Sequence, residues 1–282
     1  MKPPVSGGFV MLELRNMKLF LLQILQTTVI QLIGVLGLFF FLGFILSKLQ
    51  EQTQRNYQRS IGWKGILWTA WIGTPFHELG HAFFAKLFRH QITHIALFQP
   101  NQATGELGQV EHRYNPASLY QKIGNFFIGA APLIFGSLLL WLLARYLLPN
   151  GEAIFAPLAR IESSLTSLAR VASQALFNLF AVENLRAWNF WLFLYISFAI
   201  ASHLAPSKID RHGMWQGLRW IVLILLLINL FAAALQLDIT RYLRRTTQYL
   251  GVLTTLFIYV IIISAIHWLL SAIILWPLRR QK

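Results

Sequence analysis

The sequence predicts an all-α polytopic membrane protein with about six transmembrane helices, a small β-hairpin insertion and an interfacial amphipathic helix. Three observations predict it. Hydrophobic residues make up 56% of the 282-residue chain and charged residues only 12%, about half the share a soluble domain carries. The mean hydropathy is +0.55. The charges gather between long apolar stretches, which excludes both an ordinary soluble globule and a disordered chain. Residues 1–282 read as a single integral membrane domain.

There is no cysteine, so a disulfide framework, a thiolate metal site and a thiol nucleophile are excluded. Any metal must sit on imidazole and carboxylate. The net charge of +14 does not indicate nucleic acid, because no Lys/Arg run exceeds two residues. Basic residues flanking spans and touching membrane lipid headgroups account for it.

About 20 apolar residues cross the ~30 Å hydrocarbon layer as a helix. The first span runs from Leu19 to Ser47, 29 residues without a formal charge between Lys18 and Lys48. It is too long for a secretory signal and no small-residue cleavage site follows, so it reads as uncleaved. The second lies between Lys64 and Lys86, with Glu78 as its only formal charge. The third covers Ile123 to Ala144, the fourth Ala187 to Ser207, the fifth Trp220 to Leu237 and the sixth Thr246 to Leu278.

Two intervening segments read as ordered. Residues 92–114 hold β-friendly runs around a Pro100-Asn101 turn and Gly105, which predicts a hairpin. Residues 152–180 place Ile154, Leu158, Ile161, Leu165, Leu168, Leu176 and Phe180 at helical spacing opposite Arg160, Ser163, Ser167, Arg170 and Gln174. That predicts an amphipathic helix in the membrane interface, or one packed on the end of the bundle. Six spans put both termini on one side. Assigning them to the cytoplasm leaves 13 Lys/Arg inside against 11 outside, a small bias toward a cell-membrane protein in that orientation.

The chemistry lies in the second span, where Thr74-Pro75-Phe76-His77-Glu78-Leu79-Gly80-His81 holds an H-E-x-x-H motif. Residues i and i+4 share a helix face, so two imidazoles can converge on one metal. Glu78, one position round, can take a proton from a water at the metal's open position. Thr74 as N-cap and Pro75 at the first helical position predict a helix that begins, or kinks, just before the motif. The motif arises by accident in ~0.6% of chains of this composition. Glu78 sits 14th of the 21 residues between the two lysines, where a carboxylate costs several kcal/mol unless paired or neutralised. Two imidazoles and a cation would offset that cost, and a metal-free hydrogen-bonded histidine pair is the plainer alternative.

A catalytic zinc takes three protein ligands plus water, so a third group must come from elsewhere. The chain has two aspartates, Asp238 and Asp210. Asp238 follows the fifth span on the outer face. Asp210 follows the fourth, on the side where the motif end of span two emerges, and so can reach the histidines. A helix-capping acid, or one paired with Lys208 or Arg211, is the competing account of Asp210, and His203 and His212 are rival ligands.

An H-E-x-x-H membrane helix, with a Pro-containing loop and an Asp two helices later, resembles the site-2 protease family of intramembrane zinc metalloproteases. The likeness covers roughly residues 65–215, a metalloprotease core. It implies one zinc per chain held by His77, His81 and Asp210, Glu78 as general base, and a membrane protein or peptide as substrate; the assigned topology turns the site toward the cytoplasmic side. The second motif departs from the family's. Asp210 stands four residues after Pro206 rather than five, and His203 replaces an Asn. Gly129 and Pro132 in span three resemble the family's G-x-x-P turn, although helix packing through small residues explains them equally well. Asn125 could donate a hydrogen bond to an oxyanion or satisfy backbone.

Other histidines carry less. His90 and His94 are four apart, but the β-like run from Ile92 breaks a shared helix face. His112 falls in the hairpin, and His267 in span six reads as packed or interfacial. The rival functions are a non-enzymatic membrane protein with a structural or metal-binding His/Glu cluster, and hydrolysis of a lipid-linked substrate. An endoprotease of the prenyl-protein type would need a Glu ligand, but the glutamates after Glu78 fall in loop or amphipathic segments.

Overall fold

The structure is a computed structural model that describes residues 7–156, 165–235, 237 and 240–278. Helix α1 (Gly7–Leu32) passes through a π-helical turn at Ile33–Gly37 into α2 (Leu38–Ser60). The helix thus continues 13 residues beyond the expected end of the first span at Ser47. Its last turns carry Lys48 and Arg55, which both pair with Glu51 on the exposed face.

Helix α3 (Trp63–Leu87) starts after Gly62 and runs unbroken through Pro75. Of the two readings at Thr74-Pro75, a helix start and a kink, the start is excluded: the motif sits mid-helix, and Thr74 Oγ1, buried, caps nothing. Proline removes one backbone bond, which a helix packed on its neighbours tolerates. The chain leaves α3 through Arg89, at φ 59°, with the His90 N–H donating to the Ala85 carbonyl at 2.8 Å.

Strands β1 (Gln91–Ala96) and β2 (Gln109–Arg113) pair antiparallel, Ile92 opposite His112 and Ile95 opposite Val110. The hairpin expected over 92–114 is present, with Gly105 at φ 78° in its turn. It is clasped to the helices by histidine. His90 Nε2–H donates to the Gln121 carbonyl at 2.9 Å, so its Nδ1 carries only a lone pair. His112 Nδ1–H fills it at 3.0 Å. The pair shares one proton and has no place for a second. Burial pushes His90 below the ordinary histidine range, and burial together with His90 pushes His112 down to about 4. Because both values are depressed on folding, the clasp is fully formed above about pH 6.5 and weakens as pH falls toward about 4. Hydrogen exchange of the β1–β2 amides should accelerate across that window in native protein. A His112→Gln variant should lose the pH step; an unchanged step in that variant would place the titration elsewhere.

Helix α4 (Leu119–Leu147) begins at Ser118, whose hydroxyl accepts from the Gln121 N–H. Short helices α5 (Gly151–Phe155) and α7 (Val182–Arg186) flank α6 (Leu165–Leu179). The amphipathic helix expected over 152–180 is therefore divided, and residues 157–164 lie outside the described residues. Helix α6 buries Val171, Ala175 and Leu179 in the main core and exposes Arg170, Gln174 and Phe177. Helix α8 (Trp188–Ala201) is followed by α9 (Lys208–Ala234) and α10 (Thr240–Ile274). Asp238 and the Arg279–Arg280 end lie outside the described residues.

Among the described residues, three helices are long and apolar enough to cross a membrane: α4, α9 and the Thr254–Ile274 part of α10. Helix α8 has 14 residues, ~21 Å at 1.5 Å per residue, short of the hydrocarbon thickness. Helix α3 is long enough, but its buried Thr69, Thr74, Glu78 and His81 dilute its apolarity.

The main core lies where Leu133 and Leu140 of α4 meet Phe190, Phe193 and Ile200 of α8 and Tyr259, Val260 and Ile263 of α10, with Leu42 and Leu46 of α2 alongside. Helix α9 packs on α4 through missing side chains. A Cβ on Gly129 would stand 2.3 Å from the Asp210 carbonyl, and one on Gly217 would stand 2.2 Å from the Phe126 nitrogen. Small residues let helix backbones approach closely, and here that approach sets Asp210 against α4.

Candidate metal centre

His77 and His81 project from one face of α3, their ring centroids 4.8 Å apart. Each ring is oriented by a backbone carbonyl from a different element. His77 Nδ1–H donates to the His203 carbonyl at 2.5 Å, and His81 Nδ1–H donates to the Ile128 carbonyl at 2.8 Å. A carbonyl only accepts, so both rings must place their remaining lone pair on Nε2. The two Nε2 atoms face each other at 3.1 Å. Two lone pairs so close repel unless a proton or a cation lies between them.

Asp210 comes from the first turn of α9. Its Oδ1 is 3.3 Å from His81 Nε2, and its Oδ2 is 3.6 Å from His77 Nε2. A capping box holds it: the Asp210 N–H donates to Ser207 Oγ at 3.1 Å, and the Ser207 N–H donates to Asp210 Oδ2 at 2.7 Å. The helix N-terminus also favours a carboxylate. Capping and approach to the imidazoles, competing accounts from sequence, are both features of the same side chain.

The three donor atoms lie within 4.8 Å of one another. Ligand atoms at ~2.0–2.1 Å from a tetrahedral ion lie ~3.3 Å apart; the two Nε2 atoms are 3.1 Å apart, and each is within 3.6 Å of a different Asp210 oxygen. The donor set, two neutral imidazoles and one carboxylate with both Nδ1–H groups tied to carbonyls, fits one small divalent cation. Side-chain exposure is 14% for His77 and Asp210 and 7% for His81, so the cluster is largely enclosed. Glu78, itself 6% exposed, lies within electrostatic reach of all three.

The other candidates stand apart. His203 contributes its carbonyl, while its ring donates from Nδ1 to the Ala199 carbonyl at 3.0 Å. His212 is exposed and accepts from Gln216 Nε2. His90 pairs with His112 rather than with His94, which is exposed on β1. Asn125 is buried on α4, one turn before Gly129. Sequence reasoning missed Ser207 and the carbonyls of His203 and Ile128. The Ser207-x-x-Asp210 capping pattern could have revealed the first; a backbone carbonyl leaves no residue-type signal. Comparison with known protein families, with curated proteins and with solved structures finds no match for this chain.

Proposed function

We propose that the protein is an intramembrane zinc metallopeptidase that hydrolyses peptide bonds of transmembrane or membrane-associated proteins. The observation that supports it is the convergence of His77, His81 and Asp210 beside the buried carboxylate of Glu78. The residues that would hold one zinc are His77, His81 and Asp210, with residues 65–215 as the enzymatic core. Zinc held there would supply a water of pKa ~7 and polarise the scissile carbonyl. Glu78 would be the general base for the attacking water and would pass its proton to the leaving amine. A helical substrate hides its carbonyls, so it must unwind locally to present one. In this reading six segments cross the cell membrane and the site opens toward the cytoplasm.

The test is cleavage of a single-span transmembrane peptide by the detergent-purified full chain. Activity should vanish with a chelator and return with zinc; cleavage that withstands metal removal, or none in zinc-loaded protein, would overturn the proposal. The third ligand has its own prediction. Asp210→Asn should weaken zinc retention severely. Ser207→Ala removes the hydroxyl that accepts the Asp210 N–H but keeps the backbone Ser207 N–H bond to Asp210 Oδ2, so it should weaken metal affinity less than Asp210→Asn, by about 10-fold. Titration against a competing chelator checks both, and undiminished affinity in Asp210→Asn would remove Asp210 from the ligand set.

A further inference from the structure

His267 is a titratable side chain in the apolar part of α10, 4% exposed, and the proposed chemistry does not use it. Buried polar groups in a membrane helix are costly and point to a role. Its ring stacks on Phe198 at 4.7 Å. Nδ1 is 2.8 Å from Ser202 Oγ, and Nε2 is 2.9 Å from the Tyr57 hydroxyl. The Ser202 hydroxyl donates to the Phe198 carbonyl at 2.7 Å, so its only hydrogen is committed. His267 Nδ1–H must therefore donate to Ser202, and Tyr57 O–H must donate to Nε2. The imidazole is neutral and both of its nitrogens are satisfied.

Ser202 opens the short connector between α8 and α9, residues 202–207. The same strap carries the His203 carbonyl that orients His77 and ends in Ser207, which holds Asp210. It is pinned from three sides. From α2, Gln54 Nε2 donates to the Ser202 carbonyl at 3.4 Å, and Gln50 Oε1 accepts the Ala205 N–H at 2.8 Å. From α3, Gly73 presses so close that a Cβ there would stand 2.2 Å from the Ala199 carbonyl and 2.5 Å from His203 Nδ1. From α10 comes His267. Two of the three donors are thus hung from one irregular segment, whose backbone has no helix or strand of its own to hold it.

We propose that His267 is a positioning residue of the metal centre. By gripping Ser202 it fixes the strap, and through the strap the ring of His77 and the carboxylate of Asp210. The inference rests on the metal-centre reading, and its experiment separates the two. Full-length protein in detergent is loaded with zinc for affinity and with cobalt(II) for its ligand-field bands. His267→Phe keeps the stacking and the approximate volume while removing both hydrogen bonds. It should weaken zinc affinity at least tenfold and shift the cobalt bands, and His267→Gln, which can still donate and accept, should recover most of both. Ser271→Ala removes the neighbouring α2–α10 hydrogen bond from Asn56 without touching the strap, and should leave affinity and spectrum native. Native affinity and bands in His267→Phe, or an equal shift in Ser271→Ala, would overturn the positioning role. Should His267→Phe not fold, Ser202→Ala carries the test with the same expected direction, and native metal binding there overturns the role. Native protein that takes up neither metal would instead sink the metal-centre reading.

Discussion

Replacing both imidazoles together, His77→Ala with His81→Ala, is expected to take bound zinc from about one ion per chain to none. The pair supplies two of the three donors, and both lone pairs are already committed to the site by the carbonyls of His203 and Ile128. His203 keeps an unpartnered Nε2 while its Nδ1–H donates to the Ala199 carbonyl, but among the described residues it is not one of the three donors that converge. A second consequence follows for stability. Glu78, 6% exposed, would be left buried without imidazole or cation, at a cost of several kcal/mol unless it takes up a proton. A ligand that binds only the folded state stabilises it by about 4 kcal/mol at a thousand times its Kd. Zinc should therefore raise the thermal midpoint of the native protein and leave that of the double variant unmoved. Elemental analysis of purified protein and thermal unfolding with and without zinc check both parts. A double variant that keeps its zinc would place the metal elsewhere. A native chain with almost none would favour a metal-free His–His–Asp cluster, in which a single shared proton separates the two Nε2 atoms.

The parts of this centre that could be read from sequence are those governed by local geometry. His77 and His81 share a face because any α-helix brings i and i+4 together, whatever surrounds it. Asp210 could be named because spans alternate direction, so few carboxylates can reach the correct end of α3. Its exact seat could not be read, since it depends on α9 closing against α4 at Gly129 and Gly217, a contact between segments some 90 residues apart. The hairpin was legible from its alternating residues and turn chemistry. Sequence left Thr74-Pro75 open between a helix start and a kink, because the pair carries the local signature of a helix beginning while the preceding apolar turns, packed on α2 and α8, keep the helix intact. Among the described residues, only three helices carry the full apolar signal of a span, for a related reason. A segment that lines a polar site, as α3 does, gives up apolar residues to do so, and α8 stops after Ala201 to free the strap that orients His77. Polar residues gathered in a helix thus weaken the signal by which a spanning helix is recognised.

Glu78→Gln is the substitution expected to separate chemistry from architecture. Glutamine has nearly the same shape and leaves His77, His81 and Asp210 intact, so zinc should stay at native stoichiometry and the cobalt spectrum should change little. The amide cannot accept the water's proton at neutral pH, and general-base catalysis is worth ~10²–10⁴-fold. Cleavage should fall by at least that factor, in kcat rather than in KM, because the lost interaction is made as the proton moves. Folding stability should move the other way. A buried carboxylate carries a desolvation cost that a neutral amide escapes, so the thermal midpoint of metal-free Glu78→Gln should equal or exceed that of the metal-free native protein. A residue kept only for structure would show the opposite pattern, with lower stability and activity lost in proportion to folded protein. Unchanged proteolysis in the zinc-loaded variant would take the general base away from Glu78. Loss of zinc on substitution would instead make it part of the metal's support. A more stable, metal-loaded and inactive protein is the outcome that only a catalytic carboxylate accounts for.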